Sequence, residues 1–340
     1  MTNGFLSSEI PLIAAPMAGG ATTVRLAASA SAAGAFPFLA GGYKTPAGLA
    51  GEIAALREHT TAFGVNLFVP DRAPVDAAAF ARYAGELADE AAVYELALDP
   101  VPVADDDAWD EKVALLCADP VPVVSLTFGL PPARDIGLLQ RAGSAVLATV
   151  TTAAEAREAA AAGVDGLVVQ GPRAGGHSAT WDPERTVGDA PASEALEAVS
   201  AATTLPIVAA GGVDGADAVR GLLAGGAAAV AVGTLLLLTD EAGTSPTHRA
   251  ALAESEPRET TITRAFTGRP ARALRNGFID RHGQQELTAY PAVHHLTREL
   301  RKRAGAAGDS ERLHLWAGTG YREARSEPVA DTIARLTASL

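Results

Sequence analysis

Eight short apolar runs, each cut off by Gly, Pro, Ser, Thr or Asn, recur along this chain and constrain its fold more than any other feature. They occupy residues 11–15, 35–40, 63–68, 121–126, 145–149, 166–170, 206–210 and 228–232. Such runs lack polar alternation, so each would-be strand is apolar on both faces, as the strands of a parallel sheet are. Alanine-rich amphipathic segments separate most of them, at 22–33, 46–58, 75–88, 133–142, 153–161, 191–202 and 214–224. These read as helices, with Thr, Ser or Asp near several starts and Gly near several ends.

Strand and helix in alternation make βαβ units. A closed barrel and an open doubly wound sheet both accommodate them. An open sheet places its glycine-rich phosphate turn after the first strand. Here the glycine-rich turns follow the last strands, at Gly211-Gly212 and Gly233-Thr234, where barrels build phosphate sites. The expected fold is therefore α/β, a (β/α)8 TIM barrel with an insertion and a C-terminal extension. The insertion, 89–119, is long and acidic, contains Trp109, and reads as an extra strand and helix or as an excursion. A long loop follows the sixth strand at 172–189. From about residue 257 the composition turns to Arg, His, Tyr and Trp. Residues 1–256 are thus expected to form the barrel, and 257–340 an extension that packs on it and closes the substrate pocket.

A net charge of −13 argues against nucleic acid or an acidic membrane surface as the main partner. The longest apolar run, 227–238, is too short to span a bilayer. The N-terminus lacks the basic start and apolar core of a signal peptide. Cys117 is the one cysteine, so no internal disulfide forms, and its apolar surroundings at 113–117 mark it as a buried small hydrophobe. A cytoplasmic protein acting on small molecules is expected, with a homodimer left open.

In a barrel of this kind the chemistry gathers at the C-terminal ends of the strands. That rule draws Met17, Tyr43, Asn66, residues 170–177, Gly211, Gly212, Gly233 and Thr234 into one ring. The turns at 209–214 and 231–234 look like a phosphate cradle, because glycine lets backbone approach an anion and a helix start offers free N–H groups. The run Ala174-Gly175-Gly176-His177, with Gln170 upstream, presents an imidazole that can act as base or hydrogen-bond donor near neutral pH. The amide of Asn66 can bond a heteroaromatic edge or a phosphate, or simply cap a strand end. His294 and His295 point in different directions on a helix and lack matching Cys or carboxylate ligands, so no metal site is expected. No P-loop, zinc signature or nucleophile elbow is present.

These residues resemble the nitronate monooxygenase family, formerly called 2-nitropropane dioxygenases. The likeness is carried by Ala15-Pro16-Met17-Ala18-Gly19, Gly41-Gly42-Tyr43, Gly64-Val65-Asn66-Leu67-Phe68, Gln170-Gly171 with Ala174-Gly175-Gly176-His177, Ala210-Gly211-Gly212-Val213 and Val232-Gly233-Thr234. In the tail it is carried by Glu241-Ala242-Gly243-Thr244-Ser245-Pro246 and Leu315-Trp316-Ala317-Gly318. The resemblance implies a TIM barrel holding FMN non-covalently. By the family pattern Asn66, Gln170, Gly175, Gly176, Gly211, Gly212, Ala231, Val232, Gly233 and Thr234 would hold the FMN, with Met17 packing near its ring system through the backbone. His177 would be the catalytic residue beside the flavin. Substrate would be a nitronate or nitro compound with O2, and products a carbonyl compound and nitrite. Tyr43, Arg173, Tyr290 and Lys302 are candidate polar groups of the substrate pocket.

Three departures stand out. Ala179 replaces a glycine common two residues after the histidine. Pro172-Arg173 precedes the histidine run where a small or acidic residue is common. Leu235-Leu236-Leu237-Leu238 follows Gly233-Thr234 where the family often has a polar or aromatic residue. Two other readings share the barrel motifs: an NAD(P)H-dependent flavin reductase resembling the quinone and enoyl-acyl-carrier-protein reductases, and a flavin-binding pathway protein without turnover. A phosphosugar isomerase would need a carboxylate base and a lysine at strand ends, a pair the sequence does not show.

Overall fold

The computed structural model describes residues 6, 8–71, 73–256, 258–338 and 340. The strands in chain order are β1 (Leu12–Ala14), β2 (Phe36–Ala40), β3 (Gly64–Phe68), β4 (Val123–Thr127), β5 (Ala145–Val150), β6 (Gly166–Gln170), β7 (Gly176–His177), β8 (Ile207–Ala210), β9 (Ala229–Val232), β10 (Thr260–Thr263) and β11 (Ala271–Leu274). The helices are α1 (Val24–Ala32), α2 (Pro46–Arg57), α3 (Ala77–Glu86), α4 (Ala88–Ala92), α5 (Trp109–Ala118), α6 (Ala133–Ala142), α7 (Ala153–Ala161), α8 (Ala192–Ser200), α9 (Ala216–Ala224), α10 (Pro246–Leu252), α11 (Gly277–His282), α12 (Ala292–Ala306) and α13 (Val329–Thr337).

Eight strands close into a parallel barrel in the order β1-β2-β3-β4-β5-β6-β8-β9. The ring is sealed where β9 pairs with β1, Ile13 against Ala231. Each of the eight apolar runs supplies one of these strands. The lower interior is filled by Ile13, Phe36, Phe38, Val123, Leu147 and Val208, so the closed end is a packed core and not a pore. A second, antiparallel sheet, β10-β11-β7, sits above the barrel mouth, with Ala271 opposite His177.

The helical ring differs from the expected one at two places. Residues 75–88 do form a helix, α3, but its Phe80, Tyr83 and Ala84 pack with Phe266, Phe278 and Val293 in a separate apolar cluster. The ring position after β3 belongs instead to α5, which packs against α2 and α6. The Trp109 indole N–H donates to Asp135 Oδ2 at 3.1 Å and ties α5 to α6. The segment 89–119 therefore holds α4, an irregular stretch and a ring helix; it contains no strand. The eighth ring position is taken by α13, whose Val329, Ile333 and Leu336 join the main core beside α1 and α9. The expected extension 257–340 thus ends in a helix of the barrel itself. Outside the ring lie the loop 171–191 after β6, which carries β7, and two insertions, 69–108 after β3 and 237–328 after β9, which share one apolar core over the mouth.

Cys117 is half-buried on α5 with its side chain against the main core, a little more accessible than expected. The four leucines 235–238 are all buried, and Leu237 and Leu238 anchor the β9 insertion; the departure at this run is a packing choice. No helix among the described residues is long and apolar enough to cross a membrane.

Candidate active site

A cavity of about 970 Å³ opens at the C-terminal ends of the strands. That is at the upper end of the ~300–1,000 Å³ typical of cofactor and ligand pockets. Met17, Asn66, Gln170, Gly175, Gly176, His177, Gly211, Gly212, Ala231, Val232, Gly233 and Thr234 all line it. Of the polar candidates, Tyr43 and Lys302 also line it, while Tyr290 and Arg173 do not.

One wall is a cradle of backbone. The N–H groups of Gly211, Gly212, Gly233 and Thr234 have no acceptor among the described residues. Gly212 has φ +70°, and a Cβ there would come within 2.8 Å of the Arg173 Cβ. A Cβ on Gly175 would sit 2.5 Å from the Gly318 nitrogen. The Gly318 N–H donates to Thr234 Oγ1 at 2.9 Å, so the 315–320 segment is locked onto the cradle. Free N–H groups converging at the last two strand ends are the donor set that binds a phosphate in barrels of this class. The residues present fit a flavin phosphate at this end of the cavity.

The opposite wall suits a heteroaromatic edge. The Asn66 Nδ2 group donates to Ser125 Oγ (3.0 Å) and Thr127 Oγ1 (2.9 Å), which fixes the side chain and leaves Oδ1 without a partner among the described residues. The side-chain amide of Gln170 is engaged at both ends within the protein. Its Nε2 donates to the His177 carbonyl at 3.2 Å and its Oε1 accepts the Ala179 N–H at 2.8 Å. It therefore clamps the histidine loop while lining the cavity. Ala179, where a glycine is common, is fully buried in that clamp. The Met17 N–H is likewise committed, to Thr22 Oγ1 at 2.8 Å, so Met17 offers the cavity its side chain and not a free N–H.

His177 stands in an aromatic box. The rings of Phe128, Tyr290 and Trp316 each lie 5.6 Å from its own. Its Nε2 is 2.9 Å from Thr267 Oγ1. Burial, together with the positive fields of Arg269 and Arg301, lowers its pKa from 6.5 to about 3. The imidazole is therefore neutral at pH 7, ready to accept or share a proton but carrying no charge to attract an anion. Tyr290 acts through this box: it packs on His177 and its hydroxyl donates to Tyr43 at 3.3 Å. Tyr43 and Phe128, after β2 and β4 on either side of β3, both have positive φ (65° and 82°), unusual for aromatic residues and a mark of backbone strain at a site.

The positive charge comes from a residue that the sequence did not single out. Arg301 lines the cavity, is 5% exposed and has no carboxylate partner among the described residues. Its Nε donates to Thr297 Oγ1 (3.0 Å) and its Nη2 to the His294 carbonyl (3.0 Å), leaving Nη1 without a partner among the described residues. Burial lowers its pKa only to about 10, so it stays a cation. His294 is stacked on Tyr43 at 4.1 Å and held far below its usual range by burial and by Arg301. Lys302, one of the candidate polar groups, is mostly exposed and pairs with Glu299 at 3.5 Å. Arg173 is paired with Asp189, also at 3.5 Å, and turned away from the cavity. The signal for Arg301 lay in α12: His294, Thr297 and Arg301 share the stripe that also carries Val293, Leu300 and Ala304. An arginine on a buried stripe is costly unless something uses it. No group of His, Cys, Asp and Glu among the described residues could hold a metal ion.

A closed (β/α)8 barrel with free backbone N–H groups at its last two strands and a half-buried histidine over a large cavity defines a flavin oxidoreductase of the TIM-barrel class. The nitronate monooxygenase profile matches residues 4–339, and the chain belongs to that family. A probable nitronate monooxygenase from Staphylococcus aureus (strain Newman) is 33% identical over 336 residues, covering 96% of this chain and 93% of that protein. The solved structure of a nitroalkane oxidase from Streptomyces ansochromogenes superposes with a TM-score of 0.92 at 44% identity, covering 98% of this chain and 96% of the other. FabK from Thermotoga maritima shares the architecture at a TM-score of 0.75 and 25% identity, over 98% of this chain and 93% of that one. The family is flavin-dependent and acts on nitro compounds.

Proposed function

We propose that this protein oxidises alkyl nitronates, and nitroalkanes after loss of their α-proton, with FMN and dioxygen, giving a carbonyl compound and nitrite. The observation that carries the reading is the pairing of a neutral His177 with a buried, uncompensated Arg301 around one cavity. A nitronate is a delocalised anion, and an unpaired guanidinium in a low-dielectric wall attracts it strongly. A nitroalkane has an acidic α-proton, and a neutral imidazole is the group to take it.

FMN is proposed because its single phosphate matches the cradle of Gly211, Gly212, Gly233 and Thr234, while the Asn66 Oδ1 would accept from a ring N–H. The chemistry that a bound flavin supplies is electron transfer from the substrate carbon to dioxygen. The chain's own part is to bind, orient and exclude water. Phe128, Tyr290 and Trp316 keep the imidazole dry, and the two insertions close the cavity from above with α12 and the 313–320 segment.

The test is aerobic incubation with a preformed alkyl nitronate. Expected are oxygen uptake, nitrite and the matching carbonyl compound, from a yellow protein that releases FMN on denaturation. Flavin-loaded protein that releases no nitrite from any nitronate overturns the reading.

A further inference from the structure

We propose that Thr267 is a positioning residue that fixes the tautomer of His177, holding the proton on Nε2 and leaving Nδ1 as the atom that takes the substrate proton. This rests on the base role assigned to His177 above. Thr267 lies in the insertion after β9, ninety residues from the histidine, and is 1% exposed. Its Oγ1 is 2.9 Å from His177 Nε2 and 3.4 Å from the Arg269 carbonyl oxygen.

A hydroxyl has one hydrogen to give. Two arrangements of that hydrogen are possible. In one, Thr267 donates to Nε2, the imidazole proton sits on Nδ1, and the Arg269 carbonyl, on a residue 1% exposed, loses its donor. No other donor reaches that carbonyl among the described residues, and Pro270 follows it without an N–H of its own. In the other, Nε2–H donates to Oγ1 and Oγ1–H donates to the carbonyl. Every buried polar group in the chain of three is then satisfied, so the second arrangement is favoured.

The second arrangement also sets the chemistry. Nδ1 makes no hydrogen bond to the described residues and is not sealed off in the core, and the ring lines the cavity. With the proton held on Nε2, Nδ1 carries a lone pair facing the substrate. The proton leaves the α-carbon of a nitroalkane and forms an Nδ1–H bond; the electron pair of the broken C–H bond stays on the substrate as the nitronate. The imidazolium that results keeps its Nε2–H bond to Thr267. A nitronate supplied ready-made needs none of this, so Thr267 matters for one substrate form and not the other.

The direct test is the tautomer itself, read from the ring 15N shifts of His177 in 15N-histidine-labelled holoenzyme at neutral pH, assigned by comparison with His177→Asn. Expected is a protonated Nε2 and an unprotonated Nδ1; a proton on Nδ1 overturns the proposal. This measurement needs no substrate, so it stands even if nitro compounds prove not to be turned over. Kinetically, Thr267→Val should lower kcat/KM for a neutral nitroalkane at least tenfold, change that for the preformed nitronate less than threefold, and shift the 15N pattern towards a tautomer mixture. Thr267→Ser should restore both. Equal loss on both substrate forms, or no loss on either, refutes the positioning role.

Discussion

Acidification from pH 7 to pH 5 should weaken this fold severely, and the loss should trace to the histidines around the cavity. His177 has its pKa lowered to about 3 and His248 to about 4, both chiefly by burial. His294 and His314 are pushed down further by burial and by Arg301. In the unfolded chain each returns to the ordinary value of 6.5. The native state refuses a proton that the unfolded state takes, so stability is intact above pH 6.5 and falls as the pH drops towards the folded values. One pH unit is worth about 1.36 kcal/mol per group, so the interval from 6.5 to 5 costs about 2 kcal/mol for each histidine. Four such groups cost about 8 kcal/mol, against a total stability of ~5–15 kcal/mol for an ordinary protein. Ion-paired carboxylates such as Glu90, Glu327 and Asp309 have lowered pKa values and give up their contribution only below about pH 4.5, so they leave this window clean. The assay is urea unfolding followed by tryptophan fluorescence at several pH values. Wild-type stability should fall with a slope approaching four protons near pH 5, and His177→Asn should shallow that slope by about one proton. A flat profile from pH 7 to 5, or a variant with the wild-type slope, refutes the assignment of buried neutral imidazoles.

Other outcomes follow from single contacts. Arg301→Leu removes a charged partner worth about 1.5–3 kcal/mol to an anion, so KM for a nitronate should rise roughly 10- to 100-fold with flavin content retained. Gly212→Ala forces a Cβ to within 2.8 Å of Arg173 in a left-handed backbone, and should cut flavin retention, read as the flavin-to-protein absorbance ratio. Leu336→Ala empties a fully buried site on α13 and should cost about 2–5 kcal/mol in urea unfolding, because that helix belongs to the barrel and not to a peripheral tail.

The strands were legible because a parallel barrel demands runs apolar on both faces, a demand written directly into local composition. Their order in the ring then placed Asn66, His177, Gly212 and Thr234 around one cavity without any further information. The ring helices were harder. α3 and α5 are both amphipathic, and no local pattern says which one packs on the barrel and which on a neighbouring insertion. α13 falls inside the expected extension because the chain spends about ninety residues above the mouth before returning to the ring. Arg301 was not singled out in the sequence, although its neighbour Lys302 was named as a candidate polar group of the pocket. On a helix, neighbours point about 100° apart, so Lys302 reaches only the exposed edge of the cavity while Arg301 is buried against it. Gln170 lines the cavity, but its two ends are taken by His177 and Ala179, contacts made across a loop that periodicity does not describe.

The central claim is that a nitronate is the electron donor and the nicotinamide is not. Anaerobic mixing of the flavin-loaded protein with an alkyl nitronate, followed at the flavin absorbance band, tests it most directly. Expected is rapid bleaching by the nitronate and none by NADH or NADPH. Fast bleaching by a reduced nicotinamide with none by the nitronate would contradict it and make the protein a reductase.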